Sequence, residues 1–211
     1  MVLKSLMRSD HSLLWLASAS PRRVELLRQL GVPHRQRSAS IDETPWVGEP
    51  AADYVQRMAL GKARALQQQL ASGSSPASSL WVLGADTTVH VAGRILGKPA
   101  DEQEFLGMLQ ALSGTTHEVL SAVALISPAG ESIRLSVTEV SFKSLTRDEM
   151  LAYWRTGEPR DKAGGYAIQG FAAAFVRHLA GSYSGVVGLP LFETAELLQA
   201  AGVPLLQAEP P

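Results

Sequence analysis

Short apolar runs alternate along the chain with stretches in which apolar residues recur every three or four positions. The first run, residues 13–16, has the length of a buried strand. Ser20 followed by Pro21 is typical of a helix N-terminus, and the helix is predicted to begin at Arg22. Gly31 suits the left-handed residue that often ends a helix. This region therefore predicts a strand that leads into a short, well-bounded helix.

A longer helix is predicted after Pro50, because residues at spacings of three and four form one face. That inward face carries five apolar side chains and one lysine: Val55, Met58, Ala59, Lys62, Ala63 and Leu66. Residues 34–41, before this helix, are predicted to form a strand. Residues 67–79, after it, are rich in Gln, Ser, Ala, Gly and Pro, which indicates a helix end and a flexible loop.

The second half of the chain continues this mixture of strands, tight turns and helices. An apolar strand over residues 80–83 is followed by a hairpin that turns at Ala92 and Gly93. Helices are predicted to follow the capping residues Asp101 and Thr146. The remaining predictions are an antiparallel pair over 117–126 and 132–143, a strand over 172–179 and a final helix over 190–200.

Crossovers and hairpins in one chain predict an α/β fold with a mixed, twisted sheet flanked by helices, rather than a purely parallel sheet. No internal repeat and no second composition class divides the chain. We expect a flexible N-terminal extension over residues 1–11 and one two-lobed domain over residues 12–204.

The composition excludes several classes of protein. A formal net charge of −1 over 211 residues disfavours a nucleic-acid or membrane-surface protein, because any polyanion would have to meet a local basic cluster. The chain has no cysteine, which excludes disulfides, thiol catalysis and cysteine-ligated metals. No apolar run approaches the roughly 20 residues that span a bilayer. We expect a cytoplasmic protein with no nucleic-acid or membrane partner.

Four basic side chains occupy positions where a bound anion accounts for a cation better than exposure to solvent does. Arg22 and Arg23 open the first helix, whose free N–H groups favour an anion and where cations are otherwise disfavoured. Their guanidinium groups would supply forked donors for phosphate oxygens. Lys62 interrupts an apolar face, and Lys98 lies in a loop between a glycine and a proline. For the arginines, the alternative is an exposed pair that forms ion pairs with Glu25. For Lys62, the alternative is that its apolar stem packs in the core while its amine reaches water.

Carboxylates form a second group of candidates. Asp86 is predicted to lie at the carboxyl end of the strand over 80–83, where open α/β sheets bind ligands. Asp42 and Glu43 follow the strand over 34–41. One of them with Asp86 would suffice for Mg²⁺, which is usually held by one or two carboxylates together with substrate phosphates and water. The alternatives are a turn-forming aspartate and a solvated acidic loop.

A Gly-rich stretch over residues 161–170 contains Gln169, whose amide offers the donor and the acceptor that suit the edge of a base. The alternative is that Gln169 caps a turn. The five histidines have no paired spacing, no Gly-x-Ser-x-Gly sequence occurs, and residues 93–98 lack the spacing of a P-loop. Cations, carboxylates and a base-binding loop are parts that phosphoanhydride hydrolysis needs.

Eight segments resemble the Maf nucleoside triphosphate pyrophosphatases in order and spacing, from about Leu14 to Gly202. They are Ala17–Arg23 with Glu25–Leu27, Lys62 beside Ala63, Gly84–Thr87, Gly97–Pro99, Ser113–Val119, Asp161–Gly164, Ile168–Gly170 and Gly181–Leu191. The resemblance implies an inosine-triphosphatase-like mixed-sheet fold with the nucleotide in a cleft between two lobes. It also implies hydrolysis of a nucleoside triphosphate to the monophosphate and pyrophosphate with a divalent metal (Mg, Mn or Co), and it suggests a homodimer whose interface no stripe identifies.

The run Tyr166–Gly170, with Gly181–Tyr183, resembles the branch of the family that prefers dTTP and UTP. The resemblance associates Gln169, together with Arg22 and Thr87, with the choice of base. The alternatives are a pyrophosphatase for 7-methyl-GTP or another modified nucleotide, and a nucleotide-binding regulator of cell division acting in septum formation.

The resemblance also implies roles for the candidates. Asp86 resembles the general base that activates the water attacking the α-phosphorus, and Glu43 is the candidate partner of Asp86 at the metal. The triphosphate would be held by six side chains: Ser18, Ser20, Arg22, Arg23, Lys62 and Lys98. Gly165 and Ala167 depart from the family pattern, which bears on fine substrate preference rather than on the reaction.

Overall fold

Residues 14–72 and 80–206 are described by a computed structural model, and within them seven strands form one sheet. The strands are β1 (Leu14–Leu16), β2 (His34–Gln36), β3 (Trp81–Val91), β4 (Arg94–Leu96), β5 (Thr116–Ser127), β6 (Gly130–Phe142) and β7 (Val176–Ala180). Their order is β2-β1-β3-β5-β6-β7, and β4 pairs with β3 outside this path. The predicted extension over residues 1–11 and most of the predicted flexible loop, residues 73–79, lie outside the described residues.

The described part of the chain also contains six α-helices. They are α1 (Pro21–Gln29), α2 (Ala51–Ala71), α3 (Glu102–Leu112), α4 (Arg147–Arg155), α5 (Tyr183–Val187) and α6 (Leu191–Ala200). Three short 3₁₀ segments, at Glu158–Asp161, Ala163–Gly165 and Phe171–Phe175, connect α4 to β7. No helix in these ranges is long and apolar enough to cross a membrane.

The sheet is mixed, as predicted. β1 is parallel to both β2 and β3, and helices α1 and α2 provide the crossovers. From β3 through β5 and β6 to β7 the pairing is antiparallel, and β5 and β6 form a hairpin. The α/β fold class predicted from alternating crossovers and hairpins is therefore confirmed.

Helix starts agree with the predicted capping residues. The Ser20 and Asp101 side chains accept hydrogen bonds from the backbone N–H groups of Arg23 and Glu104. Thr146 and Glu149 form a reciprocal capping box. At the other end of α1, Gly31 has φ +62°, which is the left-handed conformation expected after a helix. These boundaries depend on neighbours within a few residues, which is why the sequence predicts them.

Three predicted strand limits are wrong, and one helix was not predicted. β2 ends at Gln36 rather than at residue 41, because its only strand partner among the described residues is the three-residue β1. β3 does not end near Gly84 but continues to Val91, because it pairs with β5 over its length. Asp86 therefore lies in the middle of a strand. Residues 172–175 form a 3₁₀ segment instead of strand, and helix α5 was not predicted.

His117 on β5 is buried with an exposed fraction of 2%. Its Nε2 lies 2.8 Å from the hydroxyl of Tyr166, and its ring meets Phe142 and Tyr166 edge to face. Burial lowers the pKa of His117 to about 4. The imidazole is therefore neutral in the folded protein at neutral pH.

We expect His117 to reduce stability as the pH falls. In the unfolded chain this histidine gains a proton near its ordinary pKa, whereas in the folded protein it stays neutral until pH is near 4. Protons then favour the unfolded state, and His117 lowers the free energy of unfolding by about 2 kcal/mol between pH 7 and pH 5. Urea denaturation at both pH values measures this loss. His117→Gln should show a smaller loss, and an equal loss in both proteins would contradict the assignment.

Candidate active site

One cavity of about 790 Å³ brings together most of the side chains that the sequence predicted for a site, but Asp42, the other candidate carboxylate after β2, does not line it. Oδ1 of Asp42 accepts a hydrogen bond from the backbone N–H of Thr44 at 2.9 Å. The cavity lining includes Ser18, Ser20, Arg22, Arg23, Glu43, Lys62, Asp86, Thr87, Lys98 and Gln169. They come from the start of α1, the loop after β2, α2, β3, the loop after β4 and the segment before β7. Residues distant in the sequence thus share one opening.

The cavity lies beside a gap in the sheet. One edge of β3 pairs with β5 from Val82 to His90. The other edge pairs with β1 at residues 81–83 and with β4 at residues 89–91, so among the described residues no strand covers residues 84–88 there. Asp86 and Thr87 lie in this gap and line the cavity. A mid-strand aspartate is accessible to a ligand because its strand lacks a neighbour at that point.

Lys62 joins the two candidate carboxylates that line the cavity. Its Nζ lies 2.7 Å from Oδ1 of Asp86 and 2.7 Å from Oε1 of Glu43. The side chains of Lys62 and Asp86 are 12% and 11% exposed, whereas that of Glu43 is 50% exposed. A buried charge without any partner is strongly destabilising. Because Lys62 pairs with both carboxylates, its ammonium group keeps a partner when one of them is neutralised. The lysine that interrupts the apolar face of α2 is thus turned toward carboxylates rather than toward bulk water.

Burial raises the pKa of Asp86 above its ordinary value, although the charges of Lys62 and Arg23 act in the opposite direction. Burial also acts to raise the pKa of Glu43, but the hydrogen bond and charge of Lys62, together with the charges of Lys98 and Arg23, outweigh it, and the pKa of Glu43 lies below its ordinary value. Asp86 is therefore the more basic of the two carboxylates.

Arg23 is held by backbone and side-chain acceptors at the start of α1. Its Nε donates to the carbonyl oxygen of Gly188 at 2.8 Å, and Nη1 donates to Oγ of Ser18 at 3.3 Å. Ser18 also accepts from the backbone N–H of Ser20 at 3.1 Å. Burial lowers the pKa of Arg23, and the charge of Asp86 opposes this effect. A guanidinium group remains charged even so, so the cavity keeps a buried cation near Asp86.

Arg22 and Lys98 add two more cations to the cavity lining, on the side that faces the segment before β7. Arg22 lies 3.8 Å from a carboxylate oxygen of Asp161, which also forms an ion pair with Lys162. The charge of Lys98 contributes to the lowered pKa of Glu43. The N–H of Gly164 donates to the carbonyl oxygen of Gly97 at 2.9 Å, which ties the Lys98 loop to this segment.

Thr87 and Gln169 both line the cavity but differ in hydrogen bonding and in exposure. The hydroxyl of Thr87 lies 2.9 Å from that of Ser121 and donates to the carbonyl oxygen of Gly188 at 3.4 Å. Gln169 is exposed in the segment before the last 3₁₀ turn. The structure therefore leaves the Gln169 amide accessible from solvent, while the Thr87 hydroxyl is bonded within the protein.

The donor set fits a divalent cation that a phosphate ligand shares. Asp86 and Glu43 each bond Nζ of Lys62 at 2.7 Å, so an oxygen of each carboxylate lies close to the same cationic group. Among the described residues, no group of three or more His, Asp or Glu side chains could hold a metal. Two carboxylates with phosphate oxygens and water are a usual set for Mg²⁺, whereas two alone form no complete shell.

Tyr54 is a part of the site that the sequence analysis missed. Its hydroxyl donates to the carbonyl oxygen of Glu43 at 3.0 Å. Burial, with the charges of Asp86 and Glu43, raises the pKa of Tyr54 to about 12, so the hydroxyl keeps its proton. A signal was present, because Tyr54 precedes Lys62 by eight residues and so lies near the same face of α2. The carbonyl of Gly188 had no such signal.

The chain is similar to known proteins over most of its length. A family model described as "Maf-like protein" matches residues 13–201. A dTTP/UTP pyrophosphatase of Saccharophagus degradans is 53% identical, and the match covers 92% of this chain and 91% of that protein. Proteins of the same name from Aromatoleum aromaticum and Colwellia psychrerythraea are 49% and 52% identical. Those matches cover 94% and 89% of this chain, and 100% and 87% of the relatives.

Proposed function

Because the chain belongs to the Maf family, we propose that it is a nucleoside triphosphate pyrophosphatase that hydrolyses dTTP and UTP, and related pyrimidine nucleotides, to the monophosphate and pyrophosphate. Relatives about half identical to it over nearly their whole length carry the name dTTP/UTP pyrophosphatase. The observation that carries the proposal is the single cavity in which buried Asp86 faces a group of cations.

In the proposed reaction, Asp86 accepts a proton from a water molecule while the oxygen of that water attacks the α-phosphorus. The new bond joins the water oxygen to the α-phosphorus, and the bond to the bridging oxygen breaks, so that pyrophosphate leaves. The raised pKa of Asp86 favours proton uptake. Lys62 keeps the carboxylate oriented through its hydrogen bond at 2.7 Å.

The cationic side chains hold the triphosphate in this proposal. Arg22, Arg23, Lys62 and Lys98 line the same cavity and would bind the phosphate oxygens, where negative charge increases as pyrophosphate leaves. The hydroxyls of Ser18 and Ser20, beside the N-terminus of α1, would add donors. A divalent cation, Mg, Mn or Co, held by Asp86 and Glu43, would supply further neutralisation of that charge.

We further propose that residues 12–204 form the single catalytic domain, which the family match over residues 13–201 supports. The enzyme works in the cytoplasm, where its nucleotide substrates are, and has neither a nucleic-acid nor a membrane partner. It forms a homodimer, as its resemblance to the family suggests.

A panel of triphosphates tests the function. Purified protein is incubated with dTTP, UTP, dCTP, GTP and 7-methyl-GTP, with divalent metal removed and then restored, and pyrophosphate is measured. We expect the fastest turnover with dTTP and UTP, and only with metal. Faster turnover of 7-methyl-GTP would transfer the activity to that substrate. Tight nucleotide binding with negligible hydrolysis in Mg²⁺ or Mn²⁺ would favour the cell-division regulator.

Gln169→Glu is expected to reduce kcat/KM for dTTP and UTP about tenfold or more. The amide can donate to a base carbonyl and accept from the ring N–H, whereas a carboxylate only accepts and repels the carbonyl. Losing one hydrogen bond costs about 1.4 kcal/mol of transition-state binding, which corresponds to a tenfold fall in kcat/KM. The same panel measures it, with Gln199→Glu, an exposed position on α6, as control. An unchanged substrate profile would remove Gln169 from base choice.

A further inference from the structure

The segment that carries Gln169 has little regular structure to hold it. We define the Gln169 loop as residues 166–170, which lie between the 3₁₀ segment that ends at Gly165 and the one that begins at Phe171. Within the loop, the N–H of Gly170 donates to the carbonyl oxygen of Ala167 at 3.0 Å. Ala167 and Ile168 are buried, whereas Gln169 is exposed in the cavity. What fixes the position of the Gln169 side chain must therefore act on the backbone at either side of it.

On the N-terminal side, the hydroxyl of Tyr153 provides this contact. Tyr153 lies on α4 and is 3% exposed. Its hydroxyl accepts a hydrogen bond from the N–H of Ala167 at 3.1 Å and donates one to Oε1 of Glu158 at 2.7 Å. Burial and the bond to Glu158 raise the pKa of Tyr153 above its ordinary value. The hydroxyl thus keeps its proton and serves as donor and acceptor together.

On the C-terminal side of Gln169, the carboxylate of Glu158 holds the backbone. Oε2 of Glu158 accepts a hydrogen bond from the N–H of Phe171 at 3.1 Å. The same oxygen approaches Gly170 so closely that a Cβ there would lie 2.1 Å from it. The loop therefore packs its backbone directly against the carboxylate, and glycine at position 170 permits this contact.

On the basis of the function proposed above, we propose that Tyr153 and Glu158 are positioning residues that determine base discrimination by holding both sides of Gln169. Neither side chain lines the cavity. Together they bond the backbone two residues before Gln169 and two residues after it. The groups assigned to the phosphates and to the attacking water lie on α1, α2, β3 and the loop after β4. Release of the loop should therefore impair recognition of the base more than the hydrolytic step.

Two variants remove these contacts separately. Tyr153→Phe deletes the hydroxyl, and Glu158→Gln replaces one of the two acceptor oxygens. Glu149→Gln is the matched control, because Glu149 is a carboxylate of α4 that also accepts from a backbone N–H, that of Thr146, but at the opposite end of the helix. It should lower stability without changing contacts to the loop. Thermal unfolding of all three variants shows which of them fold.

The first readout is the ratio of kcat/KM for dTTP to kcat/KM for dCTP, since cytosine differs from thymine at the edge that an amide would bind. We expect the ratio to fall about tenfold in Tyr153→Phe and in Glu158→Gln, mainly through KM for dTTP, with kcat within about threefold of the parent. In Glu149→Gln the ratio should stay unchanged. The second readout is hydrogen exchange of the Ala167 and Phe171 amides, which should become faster in the two positioning variants only.

The outcomes separate this inference from the proposed function. Parent protein that hydrolyses dTTP, with unchanged discrimination in both variants, would overturn the positioning role alone. A ratio that falls equally in Glu149→Gln would show that lost stability, not loop position, is the cause, and would also overturn it. Parent protein that hydrolyses no triphosphate would overturn the proposed function and with it the role in base choice. Faster exchange confined to the two variants would still support the hold on the loop.

Discussion

Asp86→Asn should leave the fold and nucleotide binding intact and lower turnover of dTTP about a thousandfold. The amide keeps the shape of the side chain and one oxygen that can accept from Lys62, whose Nζ lies 2.7 Å from Asp86 in the parent protein. It cannot take up a proton from water, and a positioned general base commonly contributes 10²- to 10⁴-fold. Loss of a carboxylate at the metal would add to the effect.

Steady-state kinetics with pyrophosphate detection measures this loss, and calorimetry measures the affinity for dTTP. Asp53→Asn is the matched control, because Asp53 is exposed in the first turn of α2, the helix that carries Lys62. We expect the control to retain parental turnover. Activity of Asp86→Asn within tenfold of the parent would exclude Asp86 as the general base.

Gly84→Ala should destabilise the protein by about 3–5 kcal/mol, which is a large part of the stability of an ordinary domain. A Cβ at Gly84 would lie 2.1 Å from the carbonyl oxygen of Ala59 and 2.9 Å from the backbone nitrogen of Ala63. Both are backbone atoms of α2, so no side-chain rotation relieves the clash and the helix must move away from β3. That movement would also separate Lys62 from Asp86.

Denaturation in urea, monitored by far-UV circular dichroism, gives the change in the free energy of unfolding. Gly107→Ala is the control for the same substitution, because Gly107 is exposed on α3 and a Cβ there meets nothing within 4 Å. In a helix interior alanine is favoured over glycine, so we expect this variant to be more stable by about 1 kcal/mol. Equal effects of the two substitutions would contradict the close packing of α2 on β3.

Helix limits and turns could be predicted because they depend on nearby residues. Ser20, Asp101 and Thr146 each bond a backbone N–H three residues ahead, and such bonds are encoded by residue type and spacing. The turn at Ala92 and Gly93 has positive φ at both residues, as a tight hairpin requires. The inward direction of Lys62 followed from the period of α2 in the same way.

Strand length and the composition of the cavity depended on partners far along the chain. The polar run Asp86–Thr88 lies within a strand because β5, about 35 residues later, pairs with it. The contact of Arg23 with Gly188 spans 165 positions, and that of Lys62 with Asp86 spans 24. Residue type and local position identified Arg23, Lys62 and Asp86 as candidates, but not which atoms they would meet.

The sequence by itself determined the helices, the turns and the alternation of crossovers and hairpins, because these follow from backbone sterics, hydrogen bonding over a few positions and the period of apolar side chains. It also determined which charged groups are present. The packing of the sheet decided the rest: the gap beside β3 that opens the cavity, the burial that makes Asp86 more basic, and the contacts of Tyr153 and Glu158 around Gln169. Such features arise only when distant segments exclude water together, since desolvation and strand pairing belong to the assembled fold and not to any one segment.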